Sequence, residues 1–225
     1  MSLFAIADLH LSLGVNKPMD VFPGWENYVE RLTENWKALV KPEDTVVIAG
    51  DISWGLIMEE SRKDFEYLDS LPGTKIILKG NHDYWLSTKT KVEKELEAWG
   101  IKTVKILFNN AFEYGDFAIC GTRGWMNDQT DKKVLLRECG RLKLSLEAAK
   151  KLEKEPIVFL HYPPVYGSSE CYEILEVLAE YNIKNVFYGH IHGYSLGHAI
   201  NGERNGIDFR LVSCDFLQFS PKKII

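Results

Sequence analysis

Five short apolar runs, each followed at once by a polar cluster, limit what this chain can fold into. Leu3 to Ala7 leads into Asp8-Leu9-His10, and Thr45 to Ala49 into Gly50-Asp51-Ile52-Ser53. Ile76-Ile77-Leu78 leads into Lys79-Gly80-Asn81-His82-Asp83, and Ile157 to Leu160 into His161-Tyr162-Pro163-Pro164. Val186 to Tyr188 leads into Gly189-His190-Ile191-His192-Gly193. Runs this short and rich in β-branched residues read as strands buried on both faces. Gly24 to Val40 between them shows apolar residues at helical spacing (Trp25, Val29, Leu32, Trp36, Leu39), and Ile57 to Leu71 reads as a second helix with Phe65 and Leu68 inward. Strand, helix, strand, helix, strand implies right-handed crossovers and a parallel sheet.

Further along, Lys91 to Trp99 reads as a short charged helix with a solvated face. Ile106 to Phe108, Ala111 to Tyr114 and Phe117 to Cys120 read as short strands around Asn-Asn and Gly-Asp turns, suited to antiparallel pairing. A loop, Gly121 to Trp125, then precedes a long charged helix over Asp131 to Glu153, with Leu135, Leu142, Leu146, Ala149 and Leu152 inward. Cys171 to Tyr181 is a helix. The tail, Phe209 to Ser213 and Phe216 to Phe219, reads as β structure closing a second sheet. With no repeat, linker or low-complexity stretch, the 225 residues read as one domain over 1–225.

Composition narrows the partners. A net charge of −5 provides no global field for nucleic acid or an anionic membrane. No apolar run approaches membrane length, and the first one is too short for a signal peptide. The four cysteines form no C-x-x-C pair, which points to free thiols in a reducing compartment and a cytoplasmic location.

Five of the six histidines (His10, His82, His161, His190 and His192) stand at or just past strand ends; His198 does not. In a largely parallel sheet those ends gather along one edge, where such sheets bind ligands. Asp8 with His10, and His190 with His192, are i, i+2 pairs whose side chains point to one side of an extended backbone. The candidate metal ligands are Asp8, His10, Asp51, Asn81, His161, His190 and His192. Seven donors exceed one tetrahedral ion and suit two ions sharing a carboxylate, with Asp51 as the bridge. Carboxylate, amide and imidazole together suit Mn, Fe, Zn, Co or Ni. Two divalent cations against two carboxylates leave a positive centre in a negative protein, matched to a phosphate ester. Two such ions can activate a shared hydroxide for in-line displacement.

In order and approximate spacing, Asp8-x-His10, Gly50-Asp51, Gly80-Asn81-His82-Asp83, His161 and Gly189-His190-x-His192 resemble the motifs of the calcineurin-like metallophosphoesterase superfamily. The resemblance spans Asp8 to His192. It implies a four-layer α/β/β/α sandwich of two mixed sheets flanked by helices, with a dinuclear metal centre. It implies that Asp8, His10, Asp51 and His192 hold one ion, and that Asp51, Asn81, His161 and His190 hold the other. It further implies that His82 protonates the leaving oxygen and that Asp83 orients and polarises His82. One departure bears on substrate. The protein Ser/Thr phosphatases continue Gly-Asp with Asp-Arg-Gly, whereas this chain has Ile52-Ser53-Trp54-Gly55. That favours the smaller bacterial phosphohydrolases and phosphodiesterases, acting on small-molecule phosphate esters. Arg123 either binds a non-bridging phosphate oxygen or forms a structural salt bridge under its loop. Trp54, Tyr84, Tyr162 and Tyr194 either wall a pocket or pack into the core. The competing functions are a catalytically silent scaffold on the same fold and a nuclease; oligomeric state is left open.

Overall fold

Successive residues of the first strand enter different cores. In the computed structural model, which describes residues 1–125 and 132–225, Leu3 and Ala5 face one cluster while Phe4 and Ile6 face another. The same alternation (period two, as a pleated strand requires) recurs in other central segments, such as Val46-Val47-Ile48, Ile157-Val158-Phe159-Leu160 and Val186-Phe187-Tyr188. It divides the protein into three apolar cores and therefore four layers.

In chain order the elements are β1 (Leu3–Ile6), α1 (Tyr28–Leu39), β2 (Thr45–Ile48), α2 (Met58–Ser70), β3 (Thr74–Ile77), α3 (Lys89–Ala98) and β4 (Val104–Ile106). β5 (Phe112–Tyr114), β6 (Phe117–Thr122), α4 (Lys132–Lys151), β7 (Glu155–Leu160), β8 (Val165–Tyr166), β9 (Ser169–Glu170) and α5 (Tyr172–Glu180) follow. β10 (Asn185–Tyr188), a 3₁₀ turn (Gly193–His198), β11 (Gly202–Arg204), β12 (Ile207–Leu211) and β13 (Lys222–Lys223) complete the chain. One sheet has the order β13-β1-β2-β3-β4, the other β11-β12-β10-β7-β6-β5. Each is parallel in its centre with antiparallel edge pairing, so both are mixed.

The helices α1, α2 and α3 cover the first sheet through Leu32, Trp36, Phe65, Leu68, Val92 and Leu96. On the second sheet, α4 and α5 pack through Leu135, Leu142, Leu146, Ile174 and Leu178. Between the sheets lie Ala5, Val47, Ile76, Ile119, Ile157 and Phe159, a third dry core. The α/β/β/α sandwich follows directly from strands that are apolar on both faces. Among the described residues, no helix is long and apolar enough to cross a membrane. All four cysteines are free and buried.

The two sheets meet at their carboxyl ends. The Ala7 N–H donates to Val212 O at 2.7 Å, the Cys214 N–H to Ala7 O at 3.0 Å, and Ala7 pairs in parallel with Ser213. Gly189 sits at this seam: a Cβ there would press on Ala7 Cβ and Asp8 Oδ2 at 2.6 Å each. Segments from both sheets therefore deliver side chains to one rim.

Several sequence expectations differ from the structure. Phe216 to Phe219 is not a strand; Gln218 and Phe219 have φ of 52° and 58°, which no extended strand adopts. The chain end instead adds β13 to the first sheet, antiparallel to β1. β4 begins earlier than Ile106 and pairs in parallel with β3, so only β5 and β6 form the expected antiparallel pair. α1 begins at Tyr28 rather than Gly24, after the left-handed Asn27. Leu39 ends α1 with 46% of its surface exposed; Val40, leaving the helix in extended conformation, takes the inward place at 3%. The expected helix start at Asp131 lies outside the described residues.

Candidate metal centre

Four of the seven candidate ligands sit in backbone conformations that their side chains disfavour. Asp8 has φ 61°, His10 46°, Asp51 53° and His190 73°. A left-handed non-glycine residue costs about 1–3 kcal/mol, and such residues concentrate where structure around them enforces a function. Here the turn follows immediately after β1, β2 and β10. Past β1 and β2 the two segments run on side by side: the Asp8 N–H donates to Gly50 O, the His10 N–H to Asp51 O, and Leu11 pairs in parallel with Ser53.

The side chains form two groups. Ligand atoms of Asp8, His10 and His192 lie within 4.8 Å of one another, as do those of Asp51, His161 and His190. Asp51 Oδ2 lies between the groups, 3.8 Å from His10 Nε2 and 3.5 Å from His161 Nε2. Asn81 joins the second group, its Oδ1 2.7 Å from His161 Nε2. Asp8, Asp51 and His161 are almost fully buried.

The proton count fits cations here. The His161 ring faces an acceptor on each nitrogen, Ala49 O at 3.1 Å from Nδ1 and Asn81 Oδ1 at 2.7 Å from Nε2. Burial pushes its pKa down, so the ring is neutral and has one proton for two acceptors. With that proton on Nδ1 and bound to Ala49, Nε2 and Asn81 Oδ1 become two lone pairs converging on one point. His192 likewise has an acceptor on Nδ1, but against burial the surrounding carboxylates favour its protonated form in the metal-free protein. Its Nδ1 faces Asp215 Oδ1 at 2.9 Å; its Nε2 is buried, lies 3.5 Å from Asp8 Oδ1 and has no hydrogen-bond partner among the described residues. This is the carboxylate–histidine arrangement that fixes a metal ligand's tautomer.

Charge is concentrated in the rim. Burial, then the neighbouring Asp8 charge, pushes Asp51 up to about 8. Burial would raise Asp8 too, but the fields of His192, His161 and His10 hold it below the usual carboxylate range. Burial opposes protonation of His192, yet Asp8 and Asp215 outweigh it and raise that imidazole to about 10. Burial lowers His10 and His190 to about 3, leaving them neutral and able to ligate.

The remaining candidates divide. His82 is half-buried, with its N–H bonded to Asp51 Oδ1 at 2.8 Å and its ring 4.4 Å from Trp54 and 5.7 Å from His10. Burial and then Lys17 lower its pKa. Asp83 is fully buried and accepts N–H bonds from Asp51, Ile52, Ser53, Gly80 and the Trp85 indole, at 2.7–3.3 Å. Its carboxylate ties the turn after β2 to the turn after β3 and so positions Asp51 and His82 through the backbone. Arg123 is not brought into the cluster. Its guanidinium lies 3.5 Å from the buried Glu138, which also binds Arg141 at 2.6 Å and Thr122 at 2.8 Å. Trp54 stacks on His10 at 4.7 Å and Tyr162 lies 4.3 Å from His190, while Tyr84 and Tyr194 are exposed.

The sequence reading missed Ser213, Cys214 and Asp215. Ser213 Oγ donates to Asp8 Oδ2 at 2.8 Å, Cys214 Sγ to Asp8 O at 2.8 Å, and Asp215 holds His192. They follow β12 as the histidine clusters follow the other strands, and that position was the available signal.

A sequence profile of calcineurin-like phosphoesterases matches residues 1–194. The chain belongs to the calcineurin-like phosphoesterase family. No curated protein sequence matches it. Among solved structures, the protein is similar to a protein of unknown function from Aquifex aeolicus, with 17% identity, a TM-score of 0.58, and coverage of 99% of this chain and 95% of that one. It is also similar to a phosphopantetheinyl hydrolase from Mycobacterium tuberculosis, with 14% identity, a TM-score of 0.57, and coverage of 100% and 95%. At these identities both likenesses establish the fold alone. As a calcineurin-like phosphoesterase, the chain is by family a metal-dependent hydrolase of phosphoesters, and its two donor groups suit a dinuclear centre.

Proposed function

We propose that this phosphoesterase is a dinuclear phosphohydrolase of small-molecule phosphomonoesters or phosphodiesters, working in the cytoplasm. The observation that carries the reading is the pair of donor groups, Asp8/His10/His192 and Asp51/His161/His190, with Asp51 between them. Asp8, His10, Asp51 and His192 would hold one ion, and Asp51, Asn81, His161 and His190 the other. Bound there, Mn, Fe, Zn, Co or Ni ions supply an activated water at neutral pH and positive charge for the phosphoryl oxygens.

The chain's own groups do the rest. His192 and His161 are held in one tautomer by Asp215 and Ala49, so no reorientation is needed when the phosphoryl group arrives. His82 stands at the rim and gives a proton to the leaving oxygen. The Asp51 carboxylate fixes the His82 backbone, coupling the acid to the centre. Trp54 packs on both His10 and His82 and limits water on that side.

Metal-supplemented assays with nitrophenyl phosphate and bis-nitrophenyl phosphate test the reading on wild type and His82→Ala. The variant should keep its metals and lose most activity toward poor leaving groups, on the order of 10²–10⁴-fold. It should lose least toward nitrophenolate, which departs without protonation. No turnover by metal-loaded wild type on either ester would sink the reading.

A further inference from the structure

The connection from Ala7 to Asn27, between β1 and α1, is long for a compact domain and has no regular helix or strand of its own. Connections of that length without regular structure are usually functional. This one is pinned down rather than loose. The Trp54 indole N–H donates to Met19 Sδ at 3.2 Å, and the Asn27 N–H to Asp20 Oδ1 at 2.9 Å. Trp25 packs edge-on to Tyr28 and Phe219 at 5.4 and 5.1 Å.

The connection forms one wall of a groove of about 700 Å³, a volume suited to a small ligand. From the connection come Met19, Phe22, Pro23 and Trp25; Tyr194 and Ser195, from the 3₁₀ turn, also line it. His10 and His192, two members of one donor group, form its inner end. Trp25 lies 5.9 Å from each of those rings, so the groove opens directly onto the metal centre.

Its electrostatics are selective. Neither Lys nor Arg is among the described lining residues. The one acid, Asp215, already accepts N–H bonds from His192, Gly193 and Phe216. Lys17, on the same connection, lies over the Trp54 ring at 3.3 Å and does not line the groove. Beyond the metal centre, a second phosphate or a carboxylate entering the groove would meet no Lys or Arg among the described lining residues and would face Asp215. An apolar group would find an indole, a phenyl ring, a thioether and a phenol.

We propose that the groove seats an uncharged apolar arm, aryl or alkyl, of the phosphate ester bound at the metal centre. The enzyme would thereby select esters with one hydrophobic substituent and no second anion. The assignment rests on the phosphoesterase reading above and adds the substrate class to it.

The test is calorimetric binding to Mn²⁺-loaded protein, with inorganic phosphate and methyl-, butyl- and hexylphosphonate as probes. Affinity should rise on the order of threefold per methylene while the chain lies in the groove. A terminal carboxylate on the same chain should cancel that gain. Phe22→Ser with Tyr194→Ser, both at exposed positions, should flatten the series, with inorganic phosphate reporting whether the centre is intact. Phosphate binding with a flat wild-type series overturns the groove assignment and leaves the phosphoesterase reading standing. A flat series together with concentration-dependent self-association abolished by the double variant makes the groove an interface between copies, and also overturns it. Failure of every probe, phosphate included, overturns both.

Discussion

Replacing Asp215 by Asn removes one charge from beneath His192 and little else. The Asp215 carboxylate is 12% exposed, faces His192 Nδ1 at 2.9 Å and accepts the Gly193 N–H at 3.1 Å. The amide keeps the size and can still accept from Nδ1, but its NH₂ then faces the Gly193 N–H, donor against donor. His192 loses basicity and its fixed orientation together. Losing the carboxylate partner of a metal-ligating histidine typically lowers metal affinity 10–100-fold, or about 1.4–2.7 kcal/mol. The loss should fall on one ion, the one served by Asp8, His10 and His192. The second group takes its tautomer from Ala49 instead. Calorimetric titration of chelator-treated protein with Mn²⁺ resolves the two sites. Thermal melting of the metal-free variant checks that it still folds. A folded Asp215→Asn protein with both affinities within twofold of wild type would refute the argument that Asp215 sets the His192 tautomer.

Two further outcomes follow from the same geometry. In metal-free protein, Asp51 holds its proton up to about 8 and His192 up to about 10, against ordinary values of 3.8 and 6.5. Both folded-state values are raised, so the stability these protons confer is lost as pH climbs; His10, His82, His161 and His190, all lowered, oppose that slope until the unfolded chain's histidines have lost their protons, about one unit above 6.5. Stability without metal should therefore fall between about pH 7.5 and 8.5, by about 1.4 kcal/mol per proton per pH unit at most, and the melting temperature with it. Stabilisation by added Mn²⁺ should grow over the same interval; a metal-free melting curve that is flat or rising there would be the opposite result. Arg123→Met should lower stability by about 1–3 kcal/mol, because among the described residues the buried Glu138 then keeps Arg141 and Thr122 alone. KM for nitrophenyl phosphate should stay within twofold, and a large rise in KM with unchanged stability would return Arg123 to the substrate.

What the sequence made legible was local. Apolar runs ended by Asp8, Asp51, Asn81, His161 and His190 announce strand ends, because a strand buried on both faces can carry polar groups only past its last pleat. The runs themselves imply a parallel sheet; the four layers were legible only through the family resemblance that their polar ends carry. The seam between the sheets was less so. Asp215 and Ser213 matter because Ala7 pairs with Ser213, a contact across more than two hundred residues that no periodicity encodes. Phe216 to Phe219 carries strand composition, but its last two residues turn left-handed to bring Phe219 beneath Trp25. Tertiary packing overrode propensity there. Arg123 stood at a strand end like the true cluster members, and only the buried Glu138 behind it shows where its charge is spent.

The central claim is that two cations share this rim. Elemental analysis after equilibrium dialysis against excess Mn²⁺ measures it directly. The arrangement of Asp8, Asp51, His161 and His192 predicts two ions per folded chain, and fewer than two in Asp51→Asn, which lacks the shared carboxylate. A wild-type protein that saturates at one ion, or takes up none, would contradict it.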